Sequence, residues 1–565
     1  TLGPHGFYWF SLEFDRESHR GSDARLRVRR RWDEVVADPH ALESVLVPHI
    51  AGRRWFVSKT RTITSVTVLD SLPVGDRGAP IAHLVVARIE LDQGAPEQYL
   101  LALAYAAGEK AQAVRRWHAE AVVAELRVGE EEGVLYDAVW EPELSRQVFE
   151  MIGRRRSVPS REGRAWGAPA PGYRAIRRRV ADDVQPSPMS AEQSNTSVAI
   201  ADKAILKYIR RLEEGTNPGV ELPRFLAERG HFDHAPRSGG SLEYRSNQRA
   251  SRPITLVSLE EMVPNEGDGW NYVVDALSRR LEEAIAHGTD GGDDLAPPFA
   301  PGLLGLSADD QAPGELVDHV DWASLLGRRT GELHVALASD RSDPAMAPEP
   351  MTPVDRLSLY HGAGSLARRT FRQLREIGLG TAPTVAAVLR RERELGERFR
   401  AIATVPAAAQ RIRVHGDYHL GQVLWTGKDI VIIDFEGQPA RSLGQRRLKR
   451  PATMDLAGMI RSFHYASRVV AARADRDLVG PQGHRELGPW LFRWYRWMSA
   501  GFVRSYLAVP GVDELLPDDR TELRVLIDFF LLEKAVAELA YEANARPDWV
   551  DIPAWGILDV LDDVP

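Results

Sequence analysis

Two short acidic segments in the last third of the sequence carry the residue types that phosphoryl transfer requires. His415, Gly416 and Asp417 precede Gln422, and Asp434 ends the mainly apolar run that begins at residue 429. Phosphoryl transfer needs a carboxylate that orients a hydroxyl group and accepts its proton, and oxygen ligands that hold magnesium against the phosphates. Asp417 is therefore the candidate catalytic base, and Gln422 and Asp434 are candidate magnesium ligands.

The alternative is that both aspartates are ordinary turn and cap residues. Aspartate is common wherever a strand gives way to a loop, and this reading is favoured for either residue taken singly. The full pattern is His-Gly-Asp, an amide side chain five residues after Asp417, and Ile-Asp-Phe about a dozen residues later. This combination is hard to obtain by chance, so the pattern favours a catalytic role.

The elements that must position these segments fall into two regions. The first contains one helical pattern and several stretches rich in β-branched and apolar residues, and it predicts a helix against a small antiparallel sheet. The helix is predicted at 41–50 and strands at 62–69, 81–90, 98–104 and 197–208. A second helical pattern covers 136–152, and the polar stretch 154–172, dense in Arg, Ser, Gly and Pro, predicts a loop.

A turn-rich connector at 264–269 marks the predicted boundary to the second region. Beyond it the pattern is mainly helical, with two short strands at 411–414 and 430–435. The segment 287–313 is rich in Gly, Asp, Ala and Pro without periodicity, which indicates a surface insertion. The sequence thus predicts a small mixed lobe joined to a large helical one.

Composition excludes several classes of function. The 565 residues predict two to four domains, and the absence of cysteine excludes disulfides, thiolate metal sites and cysteine nucleophiles. The net charge of −8, with basic clusters that are short and lie among acidic residues, argues against nucleic acid as a partner. No apolar run is long enough to span a bilayer, so we expect no membrane partner and a cytoplasmic location.

The nucleotide-binding residues are expected upstream of the acidic segments. Lys207 lies inside the apolar run 204–208, where a buried ammonium group is costly unless it meets an anion such as phosphate. The alternative for a lone lysine is a side chain that reaches solvent from an edge strand. No glycine-rich loop is present; instead a polar turn contains hydroxyl and amide groups that could cap phosphates, although such turns often have no ligand. These candidates are Ser194, Asn195, Thr196 and Ser197.

The two acidic segments, 415–422 and 434–437, resemble those of the superfamily of aminoglycoside phosphotransferases and eukaryotic-like kinases, and specifically those of bacterial maltokinases. The similarity extends over nearly the whole chain. It includes Arg54, Trp55, Phe56, Lys59, Arg461, Ser462, Phe463, Glu533, Lys534, Arg546, Pro547, Asp548 and Trp549. It implies an α+β, bilobal protein-kinase-like fold with a cap subdomain, a small mixed lobe with an antiparallel sheet, and a large mainly helical C-lobe.

The resemblance also implies domain limits. The cap subdomain is expected at 34–130, the nucleotide-binding N-lobe at 131–263, and the catalytic and acceptor-binding C-lobe at 264–565. The chain begins with Thr1, and residues 1–15 resemble the last strand of a trehalose synthase C-terminal domain. A trehalose synthase, fused or associated, is therefore the expected protein partner.

The resemblance further assigns roles within an ATP- and Mg²⁺-dependent reaction. Glu221 is expected to orient Lys207, and Glu261 and Val263 lie in the hinge expected to contact adenine. Glu436 is a third candidate metal ligand, although a solvated loop carboxylate is an equal alternative. His419 and Arg461 are candidate acceptor contacts, and Asp455 is expected to support the catalytic loop. The implied acceptor is maltose, converted to maltose 1-phosphate for glycogen synthesis from trehalose.

Two other functions remain open from the sequence. Fold and phosphate machinery do not determine the acceptor, so a kinase for glucosamine or an aminoglycoside is one alternative, and an acidic acceptor pocket would favour it. A catalytically silent kinase-like module that binds a partner synthase is the other. Loss of the base or of the metal ligands would indicate such a module, and neither is lost.

Overall fold

The computed structural model describes most of the chain and divides it into two compact units. The first unit comprises Thr1–Thr216 and Gly239–Met262, and the second comprises Asn217–Ser238 and Val263–Pro565. The described residues are 25–59, 61–76, 78–181, 185–189, 195–286, 304, 310–406, 408–474 and 480–563. The predicted remnant strand at 1–15 and most of the predicted insertion at 287–313 lie outside them.

Among the described residues, the first unit contains two sheets and five α-helices. Its strands are β1 (Arg25–Val28), β2 (Ile63–Asp76), β3 (Ala79–Leu91), β4 (Glu97–Ala107), β5 (Val122–Val128), β6 (Glu131–Asp137), β7 (Ser157–Pro159), β8 (Gly163–Pro169), β9 (Pro186–Pro188), β10 (Thr196–Ile200), β11 (Ala204–Tyr208), β12 (Arg211–Leu212), β13 (Ser238–Ser246) and β14 (Ile254–Glu261). Its helices are α1 (Glu34–Ala37), α2 (Pro39–Ala51), α3 (Gly108–Trp117), α4 (Pro142–Gly153) and α5 (Tyr173–Arg179). The helix predicted at 41–50 and the three strands predicted between 62 and 104 are confirmed.

The first sheet, most of which lies in the predicted cap range and which is called the cap sheet below, has the strand order β1-β5-β6-β4-β3-β2, with β12 beside β4. Alternate residues of a strand point to opposite faces of the sheet. In β3, Val85 and Ala87 enter a core that includes Leu46 of α2. Leu84 and Val86 enter a second core, which the sheet shares with the next sheet of the unit. Because both faces are buried, the strand is a nearly continuous apolar run.

The second sheet has the strand order β7-β8-β13-β14-β11-β10-β9. The loop predicted at 154–172 is wrong, because this stretch supplies β7 and β8. The cause is close packing: a Cβ atom at Gly167 would lie 2.0 Å from the carbonyl oxygen of Met151 in α4. Because glycine has no Cβ atom, the strand can pass close to the helix. Glycine also contributes no apolar side chain, so the alternating pattern that predicts a strand is absent here.

The second unit is mainly helical. Its helices are α6 (Pro218–Phe225), α7 (Gly269–Ala286), α8 (Val317–Leu337), α9 (Pro353–Glu376), α10 (Pro383–Arg390), α11 (Glu392–Thr404), α12 (Leu443–Arg446), α13 (Thr453–Ala474), α14 (Gly480–Leu507), α15 (Arg520–Ala545) and α16 (Asp551–Asp562). Its short strands are β15 (Gly267–Asp268), β16 (Glu349–Pro350), β17 (Gln410–Ile412), β18 (Val423–Trp425), β19 (Ile430–Ile432) and β20 (Arg450–Pro451).

The long helices of the second unit enclose a single large core. Its members include Leu326 of α8, Ile460 of α13, Phe502 of α14 and Leu532 of α15. The strands β18 and β19 form a hairpin at the surface of this core, and β17 pairs with β16 and β20. The segment Asn217–Ser238, which contains α6, belongs to this unit. The predicted N-lobe range, 131–263, includes this segment.

The predicted α+β class is confirmed: one unit contains two sheets, and the other is mainly helical. No helix among the described residues is both long and apolar enough to cross a lipid bilayer.

Candidate active site

The candidate catalytic segment, residues 415–422, ends in the short helical turn Leu420–Gln422, and it is held through its backbone. Asp455, at the start of α13, is buried and accepts hydrogen bonds from the backbone N–H groups of His415, at 2.7 Å, and Gly416, at 2.9 Å. His334 Nε2 lies 3.1 Å from the same carboxylate. Asp455 therefore supports the segment as predicted, and it fixes the backbone on which Asp417 stands.

Asp417 is paired with a lysine for which the sequence pattern predicts no role. Nζ of Lys534 in α15 lies 3.4 Å from Oδ1 of Asp417. Burial would raise the pKa of Asp417, but the positive charge of Lys534, followed by His419 and His415, outweighs it and leaves the pKa below its ordinary value. A lysine next to a glutamate in a long amphipathic helix gives no sequence pattern that would identify this role.

The β18–β19 hairpin brings Gln422 and Asp434 together. Ile433 N donates to the carbonyl oxygen of Gln422 at 2.9 Å, so the two residues lie at the open end of the hairpin. The Gln422 amide donates to Oδ2 of Asp434 at 3.2 Å. Asp434 has φ +64°, a left-handed conformation that is uncommon for a non-glycine residue and is associated with functional sites.

This pair fits the chemistry of a magnesium ion. Mg²⁺ takes oxygen ligands, and it commonly combines one or two protein groups with water and substrate phosphates. Asp434 supplies a carboxylate, and rotation of the Gln422 amide by a half turn presents its oxygen. Among the described residues no three His, Cys, Asp or Glu side chains form a ready-made metal cluster, so a metal here would depend on phosphate and water for its other ligands.

Glu436 lies against the first turn of α6. A Cβ atom at Gly219 would be 2.6 Å from Cγ of Glu436, and the carbonyl oxygen of Glu436 accepts a hydrogen bond from Arg446 at 3.1 Å. The side chain therefore packs where glycine leaves room for it. A metal-binding role for Glu436 stays a prediction.

The two candidate acceptor residues occupy different surroundings. His419 lies beside the candidate metal ligands, with Nε2 3.4 Å from the Gln422 amide nitrogen. Burial lowers its pKa, so its ring is neutral around pH 7. Arg461 is 2% exposed and donates twice to Glu538, at 2.8 and 3.0 Å. Its guanidinium lies where a Cβ atom at Gly556 would clash, so Arg461 is enclosed between helices.

Glu221, in α6, contacts two arginines. Arg413 donates to Oε2 at 2.8 Å, and Arg447 donates to Oε1 at 2.7 Å and to Oε2 at 3.2 Å. Arg413 precedes the catalytic segment and is 1% exposed, and its pKa is lowered by burial despite the nearby Glu221. Neither contact is predictable from the sequence, because both arginines are distant from Glu221 in the chain.

In the first unit, Lys207 pairs with a different glutamate. Its Nζ lies 2.6 Å from Glu260 Oε1, and the two residues are diagonal neighbours on the adjacent strands β11 and β14. Glu261, one residue further, pairs with Arg179 of α5. Val263 begins the next part of the second unit. The predicted orientation of Lys207 by Glu221 stays a prediction.

The polar turn before β10 is anchored by Arg210. The Arg210 backbone N–H donates to Asn195 Oδ1 at 3.3 Å, and its Nε donates to Thr196 Oγ1 at 2.8 Å. Its guanidinium also pairs with Asp137 of the cap sheet at 2.6 Å. Ser197 pairs with Lys207 in the β10–β11 register, and Ser194 lies outside the described residues. Arg210 was missed because its partners come from three separate strands.

Two family models match the chain. Residues 49–140 match the maltokinase N-terminal cap domain, and residues 273–490 match the phosphotransferase enzyme family. The first match covers most of the cap sheet. The second covers the catalytic segment, the hairpin with Asp434, and α13.

Characterised relatives are similar over most of their length. The glucosamine kinase of Streptacidiphilus jiangxiensis is 27% identical over 377 residues, which are 66% of this chain and 72% of the relative. The glucosamine kinase of Mycolicibacterium smegmatis is 28% identical over 385 residues, 66% of this chain and 79% of the relative.

Solved structures support the same fold. A glucosamine kinase in complex with glucosamine, ADP and inorganic phosphate has a TM-score of 0.57 and 20% identity, and the comparison covers 91% of this chain and 99% of the other. A second crystal form of glucosamine kinase gives a TM-score of 0.56 with the same coverage. The chain thus combines a region that matches the phosphotransferase enzyme family with a region that matches the maltokinase N-terminal cap domain, and the solved structures share its fold.

Proposed function

We propose that the chain catalyses ATP-dependent phosphorylation of maltose at its anomeric hydroxyl group, giving maltose 1-phosphate. The observation that carries this proposal is the grouping of Asp417, Lys534, Gln422 and Asp434 around one segment of the second unit. The family match supports the phosphoryl-transfer chemistry, and the cap match supports the choice among acceptors.

Asp417 orients the anomeric hydroxyl group and accepts its proton as the oxygen attacks the γ-phosphorus. Because its pKa is lowered, the carboxylate is ionised at neutral pH and ready for this role. The bond from the γ-phosphorus to the bridging oxygen breaks in line, ADP leaves, and no covalent enzyme intermediate forms. Asp434 and Gln422 would hold Mg²⁺, which neutralises phosphate charge when bound. Lys207 and the polar residues 195–197 at the start of β10 are proposed to hold the nucleotide phosphates.

The charges near Asp417 favour a neutral acceptor. The ammonium group of Lys534 is 3.4 Å from Asp417, and a second ammonium group on the acceptor would be repelled there. Two glutamates of the same helix have arginine partners of their own: Glu538 pairs with Arg461, and Glu542 with Arg546. The acidic acceptor pocket expected for an aminoglycoside or glucosamine is therefore largely neutralised among these residues.

Glucosamine is the second candidate acceptor, because two curated relatives at 27% and 28% identity are glucosamine kinases. Phosphotransferase machinery does not determine the acceptor, so this similarity leaves both acceptors open. Lys534 is the residue that separates the two hypotheses, because its charge opposes an amino sugar and not maltose.

The test is ADP release with ATP and Mg²⁺ across maltose, glucosamine, glucose and kanamycin, with the product examined by phosphorus NMR. We expect turnover with maltose and a doublet typical of an anomeric phosphate. Asp417→Asn is expected to reduce kcat about 10³-fold, within the range of general base catalysis. Glu228→Gln, which alters a surface pair with Arg224, is the matched control and is expected to leave kcat unchanged.

Turnover with glucosamine alone would transfer the assignment to the second candidate. Absence of turnover with every acceptor would favour a silent module. A cytoplasmic location and a trehalose synthase partner that supplies maltose for glycogen synthesis stay predictions.

A further inference from the structure

Helix α6 contacts both acidic segments of the candidate active site. Near its first turn, Glu221 accepts hydrogen bonds from Arg413, four residues before Asp417. Two residues earlier, Gly219 leaves the space into which Glu436, two residues after Asp434, packs. The helix begins at the cap residue Asn217, whose side chain accepts from Gly219 N at 2.8 Å. This short helix therefore contacts the chain at Arg413, shortly before Asp417, and at Glu436, shortly after Asp434.

The contacts to Glu221 are strong ones. Arg447 approaches with two nitrogens, one to each carboxylate oxygen, and Arg413 adds a third hydrogen bond. Arginine–carboxylate pairs of this kind fix geometry as well as contribute energy. Arg447 follows α12, so the carboxylate also holds the chain that continues from Glu436. Four stretches of chain thus meet through one carboxylate and one glycine.

We propose that Glu221 is a positioning residue for Asp417 and Asp434, acting through Arg413 and Arg447, and that this is its main contribution to the reaction. The proposal rests on the proposed kinase function. It differs from the role that the family resemblance implies, in which Glu221 orients the nucleotide lysine, Lys207. The two roles predict different kinetic effects, because one acts on the chemical step and the other on nucleotide binding.

The physical argument concerns the buried arginine. Arg413 is 1% exposed, so loss of the Glu221 charge leaves a guanidinium in a buried place without this carboxylate. The chain at Arg413 must then shift or admit water. A displacement of about 1 Å at a reacting group can reduce a rate about 10²-fold. Asp417 is four residues away, and Asp455 holds the backbone between them at His415 and Gly416.

The experiment is a pair of double-mutant cycles in the full chain. Glu221→Gln, Arg447→Met and Lys207→Met are made singly, and Glu221→Gln is combined with each of the other two. The kcat value and the KM values for ATP and for the acceptor that the wild type uses are measured. In parallel, the Kd for ATP is measured by calorimetry, which does not depend on turnover.

We expect Glu221→Gln and Arg447→Met each to lower kcat roughly 10- to 100-fold, with the Kd for ATP within about twofold of wild type. Their double variant is expected to be no worse than the poorer single variant, since both remove the same interaction. Lys207→Met is expected to weaken ATP binding. In the double variant with Glu221→Gln, the two fold-reductions in kcat/KM are expected to multiply, because the residues act independently. Glu228→Gln, at a surface pair just beyond α6, is the control.

The proposal is overturned if Glu221→Gln weakens ATP binding as much as Lys207→Met does and the two effects fail to multiply. If Glu221→Gln does not fold, Arg447→Met carries the test, because Arg447 is more exposed and Arg413 keeps its partner. An unchanged kcat for Arg447→Met would also overturn it. Failure of the proposed function is distinguishable, because the wild type would then turn over no acceptor.

Discussion

Two buried arginines, one in each unit, each pair with a carboxylate, but they differ in how many of their guanidinium nitrogens have hydrogen-bond partners. Arg210 pairs with Asp137, donates to Thr196 and to the carbonyl oxygen of Leu100, and lies over the ring of Trp55. Arg413 pairs with Glu221, but its Nη2 has no hydrogen-bond partner among the described residues. Both arginines are 1% exposed, so burial does not explain the difference.

The difference separates a structural pair from one beside a site of chemistry. A buried polar group is normally satisfied, and an unsatisfied donor costs free energy that the rest of the fold must offset. Arg210 joins the cap sheet to the turn before β10, and its groups are satisfied by fixed partners. Arg413 lies next to the catalytic segment, and its carboxylate is shared with Arg447. A buried donor without a hydrogen-bond partner is typical of functional sites, where selection for function outweighs its cost in stability.

The largest expected effect is a loss of stability when the pair of Arg210 with Asp137 is removed. Arg210→Met should lower the free energy of unfolding by about 3 to 5 kcal/mol, because it leaves Asp137 buried and unpaired. Denaturant unfolding followed by circular dichroism measures it. The control is Arg146→Met, which removes a surface pair with Glu143 and should cost less than about 1 kcal/mol. Equal losses for the two variants would break the comparison.

A smaller loss of stability is expected for the incomplete pair. Arg413→Met should cost about 1 to 3 kcal/mol, because Glu221 keeps Arg447 and one unsatisfied donor is removed. Activity should fall further for this variant than for Arg210→Met when both are assayed well below their melting temperatures. A loss of stability as large as that of Arg210→Met, with activity retained, would assign Arg413 to structure alone.

The smallest effect at neutral pH concerns a third and more exposed pair, Lys534 with Asp417. Lys534 is the strongest influence that lowers the pKa of Asp417 against the effect of burial. Lys534→Met should therefore raise that pKa, so that the acid limb of kcat/KM moves to higher pH while the rate above the limb changes little. A pH–rate profile measures this shift. Lys449→Met, which removes a pair with Glu349, is the control, and an unmoved limb in Lys534→Met would contradict the assignment.

The same variant sharpens the choice of acceptor. Removal of the ammonium group should increase the ratio of kcat/KM for glucosamine to that for maltose, because the repulsion of an amino sugar is lost. Measurement of both substrates with wild type and Lys534→Met gives the ratio. A fall in the ratio would indicate that Lys534 does not face the acceptor.

Much of the fold could be predicted from local patterns. The alternating and continuous apolar runs of β2, β3 and β4 and the periodicity of α2 are visible in the sequence because they depend on neighbours in the chain. The strands β7 and β8 were not predicted. Their Arg, Gly and Pro residues resemble a loop, and Gly167 is required only because α4 packs against the strand. Such a requirement comes from a tertiary contact.

For the site, the sequence by itself determined the residue types and spacing from His415 to Gln422 and at Asp434, because these residues are close in the chain and their chemistry is local. Only the tertiary structure decided the partners. Lys534 next to Asp417, Glu260 next to Lys207, and Arg413 with Arg447 on Glu221 each depend on helix packing or strand register. Electrostatic pairing depends on distance in space, and residues more than 50 positions apart leave no periodic trace of that distance in the sequence.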